Sequence, residues 1–218
     1  MPILGGIVAL ALAGAADAGV SPSALFSQPW DGAYNLFASQ NDTGGGNGAY
    51  ATVYDNFLLS KGSKISQIDF TGGYFNGTQA PIAGFTVTIY GDSAGAPGSS
   101  VYSEFVAGTA GEAATGVDQV FSYSLAADYA AAGHTKYWLS IVPDIAFPPQ
   151  WGWGTSTGGD GAEIQNFFGS PSTLSTDAAF TLSGSGAPEP AAWALMLVGL
   201  GGLGAALRSR RRTVSAAV

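Results

Sequence analysis

The sequence predicts an all-β fold, a β-sandwich of jelly-roll type, and three observations carry that prediction. Between Gly19 and Gly186 no apolar pattern keeps the spacing of a helix face over a helix's length. Short runs rich in β-branched and aromatic residues recur instead, separated by Gly, Asn, Pro and Ser. The cleanest of them, Phe85-Thr86-Val87-Thr88-Ile89, alternates with period two, which turns Phe85, Val87 and Ile89 toward a core.

Taken in chain order, the predicted strands are Tyr50–Leu59, Ile65–Phe70, Phe85–Tyr90, Ser100–Val106, Gln119–Ser124, Lys136–Val142, Glu163–Phe168 and Ala178–Leu182. Asn76-Gly77 reads as a turn after the second. Pro97-Gly98 fits the two central positions of a type II turn, joining the Phe85 strand to the Ser100 strand as a hairpin. In the sixth strand Tyr137, Leu139 and Ile141 share a face, as do Ala178, Phe180 and Leu182 in the last. One stretch reads differently: Leu125–Ala132, rich in Ala, predicts a turn or two of helix stopped by Gly133.

Composition narrows the partners. The chain has 218 residues, 10% of them charged, no Cys, and a formal net charge of −8. Its length suits one domain of ordinary size. Four of the seven basic residues, Arg208, Arg210, Arg211 and Arg212, lie in the last eleven positions. From Asp31 to Asp177 there are thirteen acids against Lys61, Lys64 and Lys136, so the body carries about −10. Such a surface repels phosphate backbones, which excludes nucleic acid as a partner. The lack of Cys removes disulfides and thiolate metal sites together.

Both ends read as addresses rather than fold. Residues 1–18 form a signal peptide: an apolar run from Ile3 to Ala16 precedes Ala16-Asp17-Ala18, a small-x-small pattern for signal peptidase, so Ala16 and Ala18 flank the cleavage step after Sec export. Residues 19–182 are the sandwich domain, and 183–187, Ser-Gly-Ser-Gly-Ala, a flexible linker. Residues 188–218 form the second address. Ala191 to Leu207 carries no charge over seventeen residues, which as a helix reaches about 25 Å, the lower limit for a bilayer span. Pro188 and Pro190 keep the approach extended, Trp193 suits the membrane interface, and the arginines hold the tail on the cytoplasmic side.

Pro188-Glu189-Pro190, the apolar helix and the Arg-rich tail in that order resemble the PEP-CTERM sorting signal, and Pro188-Glu189-Pro190-x-x-Trp193-Ala194 resembles its PEPxxWA variant. The resemblance covers about thirty residues and departs from the pattern only in the six uncharged residues, Thr213 to Val218, after the arginines. It implies an exported protein of a Gram-negative bacterium that makes exopolysaccharide, processed by an exosortase. The implied destination is the cell surface or the extracellular biofilm matrix, reached after passage through the inner membrane. The body resembles, more loosely, secreted bacterial β-sandwich modules that precede surface anchors. The pieces that carry this likeness are Val53-Tyr54-Asp55-Asn56-Phe57, Phe85 through Asp92 with Gly95-Ala96-Pro97-Gly98, Tyr137-Trp138-Leu139-Ser140-Ile141 and Trp151-Gly152-Trp153.

Several constellations invite a chemical reading. Gly91-Asp92-Ser93-Ala94-Gly95 spells the nucleophile-elbow pattern, and Ser93, Asp118 or Asp128, and His134 follow in hydrolase order. An elbow needs a helix after the serine, and Gly95-Ala96-Pro97-Gly98 cannot start one there, so a hairpin turn is expected. Asp42-Thr43-Gly44 spells the aspartic-protease triplet once, in a polar loop, without the second copy needed to share a proton. Glu163 and Gln165 face one way on a strand as glycosidase carboxylates do, yet the second is an amide. No cofactor is expected; a structural calcium is the one candidate, with Asp31, Asp42, Asn47 and Asp160 as suitable hard ligands and no calcium motif to fix the set.

The aromatic run Pro148-Pro149-Gln150-Trp151-Gly152-Trp153-Gly154 offers the alternative function. Trp151 and Trp153 fall on one side of an extended segment, where two indoles stack on sugar rings while Gln150, Asp160 and Gln165 bind hydroxyls. Burial at the end of the sandwich is the competing role for the pair. The sequence therefore leads to a non-catalytic structural or adhesive surface protein, then to a carbohydrate-binding module contacting extracellular polysaccharide through Trp151 and Trp153, and last to a secreted hydrolase.

Overall fold

The computed structural model describes residues 22–186 and, further on, Leu200 alone. The signal peptide with Ala16 and Ala18, the sorting residues Pro188 to Arg212 and, apart from Leu200, the helix expected over 191–207 lie outside the described residues. Among the described residues no helix is long and apolar enough to cross a membrane.

The chain runs through β1 (Ser23–Gln28), β2 (Leu36–Ala38), β3 (Gln40–Asp42), β4 (Gly48–Leu58), β5 (Ser63–Phe75), β6 (Gly84–Asp92) and β7 (Pro97–Ala107). It continues through β8 (Ala113–Ala114), β9 (Val120–Ala131), β10 (Lys136–Asp144), β11 (Gln150–Gly154), β12 (Glu163–Phe167), β13 (Ser170–Leu174) and β14 (Phe180–Gly186). These strands form two seven-stranded sheets. In the first, β5 is the spine: β9 pairs along one side, while β14 and β11 share the other, with β1 outside β14 and β2 outside β11. The second has the order β13-β12-β4-β3-β10-β6-β7, antiparallel except where β3 meets β10 at Asn41 and Asp144.

The inner faces meet in one core. Phe85, Val87 and Ile89 of β6, Tyr137, Leu139 and Ile141 of β10, and Ala178, Phe180 and Leu182 in and before β14 are all buried there, as their alternation predicts. Phe70 of β5 sits at its centre, stacked on Tyr123 and edge-on to Phe85, Trp151 and Trp153.

Four expectations are corrected. The helix expected over Leu125–Ala132 is the second half of β9, paired to β5 from Ser63–Ala131 through Gly73–Val120. Leu125 and Ala131 are buried while Ala126, Asp128 and Ala130 are exposed. Long-range pairing and burial outweigh the helix propensity of alanine. The flexible linker expected over 183–187 is strand as far as Gly186: Ser183 pairs Gln67, Ser185 pairs Lys64 and Gly186 pairs Ser63. The domain thus reaches 186 rather than 182. The hairpin turn lies at Ala94-Gly95 (φ 55° and 84°), closed by Ser93 N–H to the Ala96 carbonyl and Ala96 N–H to the Ser93 carbonyl. Two central residues in the left-handed region make the type I′ turn that matches strand twist, and Pro97 opens β7 opposite Asp92. Finally, there are fourteen strands among the described residues where eight are predicted; the other six, β1, β2, β3, β8, β11 and β13, have six residues or fewer and are too short to show a period.

The two ends of the sandwich differ in chemistry. β14 finishes opposite Ser63, and β1 begins opposite Gly184, so both described termini leave from one end. That end also holds all three lysines of the body: Lys61 and Lys64 at the β4–β5 connection, and Lys136, which pairs with Leu58. The opposite end presents Phe147, Phe167 and Phe168, the last with φ 49° at the tip of the β12–β13 hairpin.

Candidate functional site

The paired tryptophans come first. Trp151 and Trp153 do point to one side of β11, as their spacing predicts, but that side is the core, and both are fully buried. Trp151 Nε1 donates to Tyr123 Oη at 3.1 Å and Trp153 Nε1 to the Ala179 carbonyl at 3.0 Å, so each indole spends its one donor inside. Room for them comes from glycine. Gly72 pairs with Trp153, and a Cβ added to it would lie 2.1 Å from Trp151 Cζ2. The expected stacking platform is thereby overturned, and its polar companions are not gathered around it. Gln150 is buried and donates to Tyr50 Oη, and Gln165 donates to the Ala38 carbonyl. Asp160 sits toward the lysine end, where it accepts from Asn56 Nδ2 at 2.9 Å and pairs with Lys136 at 3.3 Å.

Ser93 occupies the first position of the type I′ turn, with strand on both sides of it, so no helix N-terminus faces its Oγ. His134 sits in the β9–β10 turn with φ 55°, its N–H donating to the Leu59 carbonyl. Asp128 pairs with Lys64 at 3.0 Å, and Asp118 lies at the far end beside Gln119. The hydrolase order in the sequence is therefore not a constellation in space.

Asp42 ends β3 and is buried; its carboxylate accepts from the backbone N–H groups of Gly45, Asn47 and Phe147 and from Asn47 Nδ2. Burial opposes the charge, and these four donors outweigh it, holding the carboxyl below its usual range. The triplet is thus an anchor that ties two loops together. Asp31 is similarly engaged by Ala33 N–H, Asn35 Nδ2 and Thr155 Oγ1. Among the described residues the carboxylates named for calcium lie apart, and no group of three ligating side chains forms.

Glu163 has a different surrounding from the one its sequence suggests. It lies one position before the Ile164–Tyr54 pair, next to Asp55 of β4, and both carboxyls face the core with no exposure. Asp55 accepts from Asn56 N–H and Ala178 N–H, each at 2.6 Å. Glu163 Oε2 accepts from Thr176 Oγ1 at 2.6 Å, and its Oε1 has no partner. Burial, with Asp177 nearby, pushes Glu163 up to about 7, and burial pushes Asp55 up to about 8. Gln165, the second position of the glycosidase pattern, is not part of this pair.

The surface feature with binding geometry is one the sequence motifs did not name. A groove of about 360 Å³ crosses the outer face of the first sheet, bounded by Trp30 on one side and the turn at Gly111 on the other. Its floor is a row that runs straight across three strands: Thr181 of β14 pairs Asp69 of β5, which pairs Ser124 of β9. Beside it lies a second pair, Thr71 and Ser122. Gln67 Nε2 donates to both oxygens of Asp69, at 2.8 and 3.0 Å, which fixes the carboxylate. Trp30 is half-buried, and its Nε1 donates to the Ala33 carbonyl at 3.1 Å, so its ring is held at the groove's edge. The available signal was context: Trp30 stands in Pro29-Trp30-Asp31-Gly32, turn chemistry that does not bury an indole in a strand.

Compared with known families, residues 187–212 match the PEP-CTERM protein-sorting motif. The match starts one residue after β14 ends and stops at Arg212, leaving Thr213 to Val218 outside it. No curated protein matches the chain. The chain thus carries a PEP-CTERM sorting signal behind a two-sheet β domain; the signal indicates export, sorting to the cell envelope and processing by an exosortase-type sorting protein.

Proposed function

We propose that this protein is a non-catalytic β-sandwich delivered to the cell surface or exopolysaccharide matrix of a Gram-negative bacterium, where it serves a structural or adhesive role. The observation that carries the reading is the junction between fold and signal. The matched motif begins at residue 187, directly after a strand that stays paired with β5 to its last residue. The four residues 187–190 before the apolar run reach at most about 14 Å when extended. Until an exosortase acts, the lysine end is held near the membrane, and the end with Phe147, Phe167 and Phe168 faces away from it. Sec export and signal peptidase supply the earlier steps, and the membrane engages the uncharged run at 191–207 before processing. After release, the aromatic end is the part free to meet other matrix components.

Deleting Pro188 to Val218 tests this. The expected outcome is a soluble protein released from the envelope, seen by fractionation and immunoblotting. Retention of the truncated protein in the membrane fraction would sink the sorting argument. A second reading, carbohydrate binding, is favoured by the Trp30 groove rather than by the buried tryptophan pair.

A further inference from the structure

We propose that the groove between Trp30 and Gly111 binds a short segment of a neutral polysaccharide, with the Trp30 ring as stacking face and Asp69 as the central acceptor of sugar hydroxyls. The inference deepens the carbohydrate-binding reading just given and is independent of how the protein is sorted.

Its chemistry selects the ligand class. The groove is lined by one carboxylate, several hydroxyls and an indole, and by no Lys, Arg or His. A ligand bearing phosphate, sulfate or uronate would meet Asp69 with no compensating cation, in a body of about −10 charge. A polyhydroxylated neutral ring meets none of that repulsion. Each of its hydroxyls supplies a donor for the carboxylate and an acceptor for Ser124, while the Thr181 hydroxyl is shared with Ser27 at 2.8 Å. Adjacent strands lie about 4.8 Å apart, so the row from Thr181 through Asp69 to Ser124 repeats polar groups on the scale of one sugar ring.

The groove is also set before any ligand arrives. Two hydrogen bonds from Gln67 orient Asp69, leaving the remaining lone pairs to accept from neighbouring hydroxyls in the two-point fashion that suits a carboxylate. Trp30 is held by its bond to Ala33 and by the edge of Gly154, where a Cβ would approach Trp30 Cδ1 to 3.4 Å. A ring already locked loses little entropy on stacking. At about 360 Å³ the groove is at the small end of ligand sites, which fits one or two sugar units of a longer chain and a weak single contact strengthened by repetition along the polymer.

The test is electrophoresis of the full chain, held in mild detergent, through native gels containing dextran, laminarin, mannan or hydroxyethylcellulose, with alginate as the uronate polymer. Retardation is expected in at least one neutral gel and not in alginate. Trp30→Ala and the near-isosteric Asp69→Asn should each weaken the apparent association at least tenfold, and Trp30→Phe should restore part of it. Val101→Ala, exposed on β7 in the other sheet, should leave it unchanged. Thermal unfolding of each variant separates lost binding from lost fold, and Asp69→Asn keeps the test decisive if Trp30→Ala does not fold. No retardation in any neutral gel, retardation by alginate alone, or unaltered retardation of both Trp30→Ala and Asp69→Asn would overturn the proposal. A protein that binds these gels yet fails to reach the envelope would leave this inference standing and remove only the sorting argument.

Discussion

Trp30 and the pair Trp151/Trp153 are the same side chain in two settings, and the backbone around them decides what each does. The pair sits mid-strand in β11, faces the core across from Gly72 and Gly73, and finds a hydrogen-bond acceptor for each indole inside. Trp30 stands just beyond β1, half-buried, joined to the opposite loop by an isolated bridge to Ser156. Glycine beside a tryptophan therefore does not signal exposure. Here the glycines are the space the indoles occupy, and the turn residues around Trp30 leave its ring at the surface.

The contrast is sharpest in stability. Trp151→Ala removes the ring at the centre of an aromatic cluster and leaves Tyr123 Oη without its donor, so it should lower unfolding free energy by about 3–5 kcal/mol in a denaturant titration. Gly72→Ala should also destabilise, by about 1–3 kcal/mol or more, because the new methyl collides with the same ring. A loss under about 1 kcal/mol for Trp151→Ala would remove the distinction between the two settings.

A second difference between interior and surface is titratable. Glu163 is raised to about 7 from an ordinary value near 4.5, so the folded protein keeps a proton there that the unfolded chain releases. That stabilisation is fully present below about pH 4.5 and is lost as pH rises through 7, by up to about 3 kcal/mol. Asp55, raised to about 8, extends the decline upward. Glu163→Gln should flatten the fall in unfolding free energy between pH 5 and 8, measured as a series of denaturant midpoints; an unchanged slope would show that Glu163 does not hold the proton. The smallest effect belongs to the surface. Trp30→Ala should change stability by less than about 1 kcal/mol, checked by the same titration, even as it removes glycan retardation.

Period and punctuation in the sequence were enough for the all-β class, because β6 and β14 alternate and every second residue of β6, β10 and β14 enters the core. They failed for β9, whose alanines favour helix until β5 offers a ladder, and for Ser183–Gly186, whose glycines and serines look like a linker until β5 pairs them. The site was legible only by residue type. Period two put Trp151 and Trp153 on one side, but parity alone does not say whether that side is core or solvent. The groove was harder still, since Trp30, Asp69, Thr181 and Ser124 come from four separate parts of the chain and no spacing links them.

By itself the sequence determined the address, because a sorting motif is read as contiguous residues by another protein and requires no fold. It also determined that the domain is built from strands and carries a net negative charge, since alternation and net charge are properties of composition and order. Only the tertiary structure decided which of the described tryptophans meets solvent, which residues make the turn after Ser93, and that Asp55 and Glu163 share the interior. Those facts depend on which strands become neighbours, and in a sheet neighbours are set by pairings between residues far apart in the chain.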